Sequence, residues 1–503
     1  MRRYFLPVLS GVLLALALYP FALWPLALVA LAPLFYFLSG GVRGKKETFF
    51  GGVVTGMLAV APTLYWSLLQ LSTQPGAEAL TYAVRLSSIF FLLFIGALFG
   101  SMALAYRALR GCGPLLDSLL AAALYTVVEL VLFATFGGYY YGSLAHALTP
   151  FPPALIIASL GGAPLVVFAA AWISAILARR SWRLALGVFL ALAGISAGAF
   201  WYGQSYKVTG PSLPVAVIQR EPQSLLYVTA PAPEPLFGDY GLQLLISEAA
   251  RGGEAALVVY PYSPVEAVYA GARPAIKGLR NLAPQSAMGA WLKTFAPAST
   301  TVLLWNTVAE RGNLYDSFGF WKDGTQQTYQ KHVLYPLSDY TPPLLRPFGF
   351  SRVPYPVTSG TANAVVVAGV RIGGLVCSEL QKEGYVRSQA SVSDVLLSVG
   401  FDGFFPGRYA ALWALEAARL RAAENGVPLI RSHIFGPSAL IRADGSVGEI
   451  LPYGVAGVLR GSVGIEKIPT LYARSGSWPV YIGIAALLLY FLIARVKDNS
   501  KTR

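Results

Sequence analysis

Charge is scarce in this chain: of 503 residues only 12% are Asp, Glu, Lys or Arg, against 55% hydrophobic. The mean hydropathy is +0.56. A disordered chain needs the opposite balance, and a purely soluble one rarely carries so much apolar surface. Cysteine is scarcer still. Cys112 and Cys377 are too few and too far apart for a disulfide framework or a CxxC metal site, so structural zinc is not supported. Acidic residues fall short of basic ones, 24 against 38, for a net charge of +14. A surplus of that sign can mean nucleic acid, an acidic partner or loops facing the cytoplasm, and only its distribution decides.

What the chain has in plenty is long uncharged stretches. Residues 4–38 hold no charge, enough for two membrane spans, each slightly short of the roughly 20 residues that cross hydrocarbon. Pro20 and Trp24-Pro25 mark the turn between them. The Arg2-Arg3 start has the flavour of a signal peptide, but no small-residue cleavage site leads into a polar sequence, so this segment is expected to stay attached. Further spans are expected at residues 49–70, 89–106, 115–133, 154–177, 184–200 and 478–494, which makes seven, a long interruption, then one.

Lys and Arg in short loops resist translocation, and here they alternate along the chain. Arg2 and Arg3, then Arg43, Lys45 and Lys46, then Arg107 and Arg110, then Arg179, Arg180 and Arg183, and finally Arg495, Lys497, Lys501 and Arg503 all mark one side. The loops between carry almost none, Arg85 excepted, and Tyr139, Tyr140 and Tyr141 resemble an interfacial aromatic belt. Both termini are therefore expected in the cytoplasm and residues 201–477 outside it. Residues 1–205 hold 11 Lys and Arg against 4 Asp and Glu, and the tail from Arg495 holds 4 against 1. The remaining insert holds 23 against 19, so most of the surplus is topological signal and not a nucleic-acid patch. Asp117 near a span end and Glu129 deeper inside are the intramembrane charges. Each reads either as a functional group or as one satisfied by a neighbouring helix.

After Gly210-Pro211 the pattern changes to short β-rich runs at residues 213–219, 256–260, 301–305, 364–368, 372–377, 395–399, 428–430 and 438–441. Helices are expected at 242–251 and 409–425, the latter with Arg419, Arg421 and Glu424 on its polar side. The class is a mixed α/β sandwich with helices covering sheets. The division expected is a membrane domain at 1–205, an extracytoplasmic domain at 206–477, and a last helix with a basic tail at 478–503.

Several stretches together resemble the apolipoprotein N-acyltransferases, the membrane-embedded branch of the nitrilase (carbon-nitrogen hydrolase) superfamily. Tyr19-Pro20-Phe21-Ala22-Leu23-Trp24-Pro25 looks like the opening hairpin. Glu129, Phe136-Gly137-Gly138 and Leu160-Gly161-Gly162 fall where that family has its Glu, outer loop and following span. Val215-Ala216-Val217-Ile218-Gln219 looks like the first nitrilase strand, and Tyr329-Gln330-Lys331-His332-Val333-Leu334-Tyr335-Pro336 like the catalytic-lysine motif. Val376-Cys377-Ser378-Glu379 looks like the nucleophile turn, and residues 421–431 are similar to the helix-to-strand signature. The similarity covers nearly the whole chain, and it implies about eight spans, seven plus one, with a nitrilase-like αββα sandwich outside a bacterial inner membrane.

Taken alone, Cys377 reads as a small buried hydrophobe and Lys331 as a surface charge. The resemblance makes them nucleophile and oxyanion-stabilising ammonium, a pairing in which the ammonium also lowers the thiol pKa. The family's third catalytic group, a Glu in a Trp-Pro-Glu sequence, is matched by Tyr262, which cannot serve as a carboxylate base. The family's Tyr after the nucleophile is Ser378 here, an expected His falls at Ala414, Asp339 stands for the Glu of Pro-Phe-Gly-Glu, and Phe401-Asp402-Gly403-Phe404-Phe405 matches a further loop loosely. Losing a base typically costs about 10² to 10⁴ in rate. Glu266, Asp339 and Glu379 are the candidates to replace it, unless Lys331 alone holds the thiolate.

The resemblance implies ping-pong transfer of an acyl chain from a membrane phospholipid, through a Cys377 thioester, to the amine of a diacylglyceryl-cysteine lipoprotein. No cofactor or metal is expected, and no nucleic acid; the partners are the bilayer, the phospholipid donor and the lipoprotein acceptor. The alternatives are a catalytically impaired homologue that binds lipid or lipoprotein, and a membrane-tethered amidase.

Overall fold

The computed structural model describes residues 4–40, 44–70, 78–135, 142–179, 211–219, 240–251, 254–261, 267–269, 282–310, 313–336, 339–341, 357–361, 363–402 and 408–501, with residues 187, 190, 191, 194, 198 and 343 between them. Two compact units emerge, Met1–Lys207 with Thr470–Arg503, and Val208–Pro469.

The first unit is helical, with α1 (Phe5–Ala17), α2 (Ala32–Ser39), α3 (Lys45–Gln70), α4 (Glu78–Leu109), α5 (Pro114–Thr135), the single turn α6 (Leu144–Ala147) and α7 (Pro152–Ala178). The two spans expected in residues 4–38 fall on shorter apolar helices, the 13-residue α1 and a stretch over Trp24–Ser39 that ends in α2. A 3₁₀ turn, Trp24–Leu28, lies between α1 and α2, with Pro25 in its first turn as Pro33 is in that of α2. Proline lacks the N–H a continuing helix needs, so each one restarts the chain. The span expected at 184–200 and the Tyr139–Tyr141 belt lie outside the described residues, apart from the isolated positions named above.

Both intramembrane carboxylates have structural partners. Asp117 accepts from the N–H groups of Gly111 at 2.9 Å and Cys112 at 3.2 Å, and pairs with Arg179 at 3.0 Å. Glu129 accepts from the Leu144 N–H at 3.1 Å, one of the orphan donors at the start of α6.

The second unit is built from two sheets. The first contains β1 (Ser212–Gln219), β2 (Leu257–Tyr260), β3 (Ala267–Tyr269), β4 (Leu282–Pro284), β5 (Thr301–Glu310), β6 (Asn313–Lys322), β7 (Thr325–Gln330) and, returning from the end of the unit, β14 (Gly457–Gly464). The second contains β8 (Val365–Val367), β9 (Val370–Val376), β10 (Val395–Phe401), β11 (Leu429–Ile434), β12 (Ser438–Ile441) and β13 (Val447–Leu451). The first sheet runs β14-β1-β2-β5-β3-β4 with β6 and β7 added as antiparallel hairpins on β5; the second runs β13-β12-β11-β10-β9-β8. β1, β2 and β5 are parallel, as are β9, β10 and β11.

Side-chain alternation assigns the layers. Val215, Val217, Val259, Leu303, Phe318, Phe320 and Tyr329 face Ile372, Val376, Leu397, Val399 and Ile430 in the core between the sheets. The residues one step out of phase, Ala216, Ile218, Val258 and Leu304, pack on Leu245 and Ala249 of α8 (Tyr240–Ala250) and on Met288 and Leu292 of α9 (Gln285–Lys293). On the other side Leu375, Leu396 and Leu429 pack on Val386 of α10 (Glu383–Val392) and Leu415 and Ala418 of α11 (Arg408–Asn425). These central strands are covered on both faces, which is why they read as unbroken apolar runs. The layers are α-β-β-α, the expected sandwich. β6 and β7 escaped the sequence reading because Asn313, Asp316, Gln326, Gln327 and Gln330 interrupt the apolar pattern. Two more helices, α12 (Leu471–Ser475) and α13 (Trp478–Lys501), complete the first unit.

Among the described residues, five helical segments are long and apolar enough to cross a membrane: Lys45–Leu64, Ser88–Leu109, Pro114–Thr135, Pro152–Ala178 and Trp478–Lys497. Phe90, Leu93, Trp478, Ile482 and Leu489 remain uncovered by protein, an apolar surface of the kind a bilayer covers.

Candidate functional site

β6 and β7 are paired so that Phe318 faces Tyr329 and Ser317 faces Gln330. One step on, the Lys331 N–H donates to the Asp316 carbonyl at 2.7 Å, which continues the ladder and sets Asp316 and Lys331 across from each other. By the period of two, Asp316 lies on the face of Phe318 and Phe320, and Lys331 on the face of Tyr329, which is the inter-sheet face. Apolar packing thus gives way to charge at one end of the sandwich.

Lys331 is 2% exposed. Its ammonium lies 2.8 and 3.0 Å from the two oxygens of Asp339 and 3.8 Å from Asp316 Oδ2. Burial pulls this amine down; Asp316, Cys377 and Asp339 outweigh it and hold the ammonium above the ordinary lysine range. Asp339 also accepts from the Tyr335 N–H at 2.7 Å, so it fixes the loop after the lysine as well as the lysine itself.

Cys377 directly follows β9 and opens a 3₁₀ turn, Cys377–Gln381. Its φ of +50° is a left-handed conformation that a residue with a Cβ adopts at a cost of about 1–3 kcal/mol, and such strain gathers at functional turns. The turn stays close to β10: a Cβ added to Gly400 would come 3.1 Å from Cys377 Cα and 2.7 Å from His433 Cε1. Burial pushes the Cys377 thiol up, Lys331 pulls it back, and Asp316 pushes it up again, while a hydrogen bond from the Phe401 backbone favours the thiolate. The balance leaves the thiol above its ordinary range.

Glu379 joins the segment that follows Lys331 to the turn at Cys377. Oε1 accepts from the N–H groups of His332 at 2.7 Å and Val333 at 2.9 Å; Oε2 accepts from the Val376 N–H at 2.8 Å and the Tyr329 hydroxyl at 3.1 Å. Burial pushes its carboxyl up to about 7, against the pull of those backbone donors. The Tyr329 hydroxyl meets that of Tyr385, and Tyr385 stacks on His332 with ring centres 5.8 Å apart.

A second buried cluster flanks the turn. Arg431 pairs with Asp402, His433 Nδ1 lies 3.0 Å from Asp402 Oδ1, and His433 Nε2 lies 3.1 Å from Ser398 Oγ. Burial and Arg431 together keep His433 below its ordinary range. Position 414 is an alanine on α11, and the imidazole that lies by the Cys377 turn is that of His433 on β11.

Of the residues singled out from sequence, Cys377, Lys331, Asp339 and Glu379 meet in this region, while Glu266 and Tyr262 lie outside the described residues. Sequence reasoning missed Asp316, Trp305, His433 and Tyr385. The signal for Asp316 was present: in Leu314-Tyr315-Asp316-Ser317-Phe318-Gly319-Phe320 it falls in phase with the core phenylalanines, where a carboxylate needs a partner. No group of three or more His, Cys, Asp and Glu suited to a metal occurs among the described residues.

The family description "Apolipoprotein N-acyltransferase N-terminal domain" matches residues 10–176. The apolipoprotein N-acyltransferase of Pseudomonas syringae pv. tomato is 30% identical over 530 residues, covering 98% of this chain and 97% of that one. The enzyme of the same name from Azotobacter vinelandii is 29% identical, covering 97% and 94%. Among solved structures, a CN-hydrolase superfamily protein from Xanthomonas campestris is 16% identical with a TM-score of 0.37, covering 50% of this chain and 91% of that one. Full-length similarity at this level, with the first unit matching the family's N-terminal domain, means that the chain belongs to the apolipoprotein N-acyltransferase family.

Proposed function

We propose that this family member takes a fatty acyl chain from a membrane phospholipid, holds it as a thioester on Cys377, and delivers it to the free α-amine of a diacylglyceryl-cysteine lipoprotein. The observation that carries the reading is the assembly of Cys377, Lys331 and Asp339 at one end of the inter-sheet core, with the ammonium held charged by its carboxylates. An ammonium fixed in a low-dielectric site stabilises the oxyanion of each tetrahedral intermediate without reorganising. Asp339 positions the lysine, and Glu379 ties the lysine motif to the nucleophile turn.

In this reading the Lys- and Arg-bearing ends of the first unit are cytoplasmic, residues 206–477 form the acyltransferase domain outside a bacterial inner membrane, and residues 478–503 are the last span and tail. Both substrates are lipids resident at the headgroup level.

Incubating the purified protein with a phospholipid carrying a labelled acyl chain, followed by mass spectrometry, is expected to show a thioester on Cys377. Adding a diacylglyceryl lipopeptide should discharge it to an N-acyl product. A wild-type protein without any acyl adduct, together with Cys377→Ser equal to wild type in acceptor acylation, would overturn the reading.

A further inference from the structure

Among the described residues, three carboxylates stand around Lys331 and Cys377, and two are already occupied. Asp339 puts both oxygens on Lys331 and accepts from the Tyr335 N–H. Glu379 is wholly buried and accepts four hydrogen bonds, three from backbone N–H groups. Asp316 also has donors, the Trp305 indole and the Ser317 N–H, but it is held less tightly: its side chain is 18% exposed, against 7% for Asp339, and its Oδ2 approaches Lys331 only at 3.8 Å. Its Oδ1 is turned by the Trp305 indole N–H; Thr307 is the direct cross-strand neighbour of Asp316, so Trp305 reaches it diagonally.

We infer that Asp316 is the general base of this site, replacing from β6 the carboxylate that is missing where Tyr262 stands. The inference rests on the acyl-transfer reading above. In the first half-reaction Oδ2 accepts the Cys377 proton as sulfur bonds to the ester carbonyl carbon of the phospholipid. The tetrahedral intermediate then expels the glycerol oxygen, which leaves as lysophospholipid with the proton returned by Asp316. In the second, Asp316 accepts a proton from the lipoprotein amine as nitrogen attacks the thioester carbonyl. The C–S bond breaks, and the departing thiolate regains that proton, restoring the resting enzyme.

Two further observations support the assignment. Burial keeps the thiol above its ordinary range even beside Lys331, the direction in which a base is needed to take its proton. Burial also lifts the Asp316 carboxyl, with Lys331 and the Trp305 hydrogen bond opposing and Asp339 reinforcing the rise. That direction brings a carboxylate closer to the pKa a base needs.

Asp316→Asn keeps an acceptor for Trp305 and removes the charge, and it separates a base from a mere electrostatic neighbour, because the two roles predict opposite signs. Removing a negative charge near the thiol favours the thiolate, so iodoacetamide should alkylate Cys377 with a midpoint at lower pH than in wild type. A neighbour acting only through charge would then leave acylation unchanged or speed it. A base predicts that single-turnover thioester formation slows by about 10² or more, with Asp316→Glu recovering part of the rate and both variants melting near wild type. Equal or faster acylation in Asp316→Asn, or an alkylation profile that does not move, overturns the inference. The alkylation arm needs no lipid, so it tests the placement of Asp316 even if wild type forms no thioester; that outcome removes the acyl-transfer reading, and the base role with it.

Discussion

Glu379 shows what a single buried carboxylate does when backbone donors surround it. Its four partners span Tyr329, His332, Val333 and Val376, so it sets the distance between the lysine loop and the nucleophile turn. In Glu379→Gln one oxygen becomes an NH₂ that faces backbone N–H groups, leaving buried donors unpaired at about 1–3 kcal/mol. The variant is expected to melt several degrees below wild type in detergent. It should also lose acylation, because Lys331 and Cys377 no longer share one frame. A melting temperature equal to wild type would mean the carboxylate is not what holds the two segments. Lys331, Cys377 and Glu379 were legible as motif residues; the four-way role of Glu379 was not, because backbone donors leave no trace in side-chain identity.

At the scale of elements, the site depends on two strands from different sheets coming close. β9 approaches the ring of Tyr329 on β7 at Gly374, where an added Cβ would meet ring atoms at 2.7 Å. Gly374→Val should therefore force the sheets apart, with an overpacking cost of about 1–3 kcal/mol, and slow acylation through displacement of the turn that follows β9. Differential scanning fluorimetry and single-turnover acylation check both effects; a wild-type melt with wild-type rate would show that the sandwich absorbs the methyls elsewhere. The continuous apolar strands β1, β2, β9 and β10 were readable because helices cover one face of each and the facing sheet covers the other. β6 and β7 were not, and with them went Asp316, since its significance lies in pairing across a hairpin that the polar positions of those strands obscure. The shortness of α1 and α2 was not legible for a related reason: hydropathy counts apolar residues, whereas prolines decide how many of them one helix can use.

On the whole molecule, the two native cysteines are natural reporters of the proposed topology. Cys112 follows Arg107 and Arg110, on the side read as cytoplasmic, and Cys377 belongs to the unit read as extracytoplasmic; both are partly exposed. A small charged thiol reagent added to intact spheroplasts should modify Cys377 in the Cys112→Ser variant. In Cys377→Ser it should leave Cys112 untouched until the membrane is permeabilised. Labelling of Cys112 from outside would reverse the orientation drawn from the loop charges.

By itself the sequence determined the class of this protein. Apolar runs, alternating basic loops and two covered sheets follow from transfer free energies and side-chain periodicity, which are local properties of the chain. The motifs around Lys331 and Cys377 carried the family resemblance. Tertiary structure alone decided which carboxylates stand beside them. Asp339 is eight residues from Lys331, but Glu379 is 48 and Asp316 is 15, and proximity between such positions comes from strand register and sheet packing. No local pattern encodes that Asp339 and Glu379 are saturated with donors while Asp316 keeps an oxygen facing the ammonium. That difference separates a carboxylate that holds the site together from one placed to move a proton.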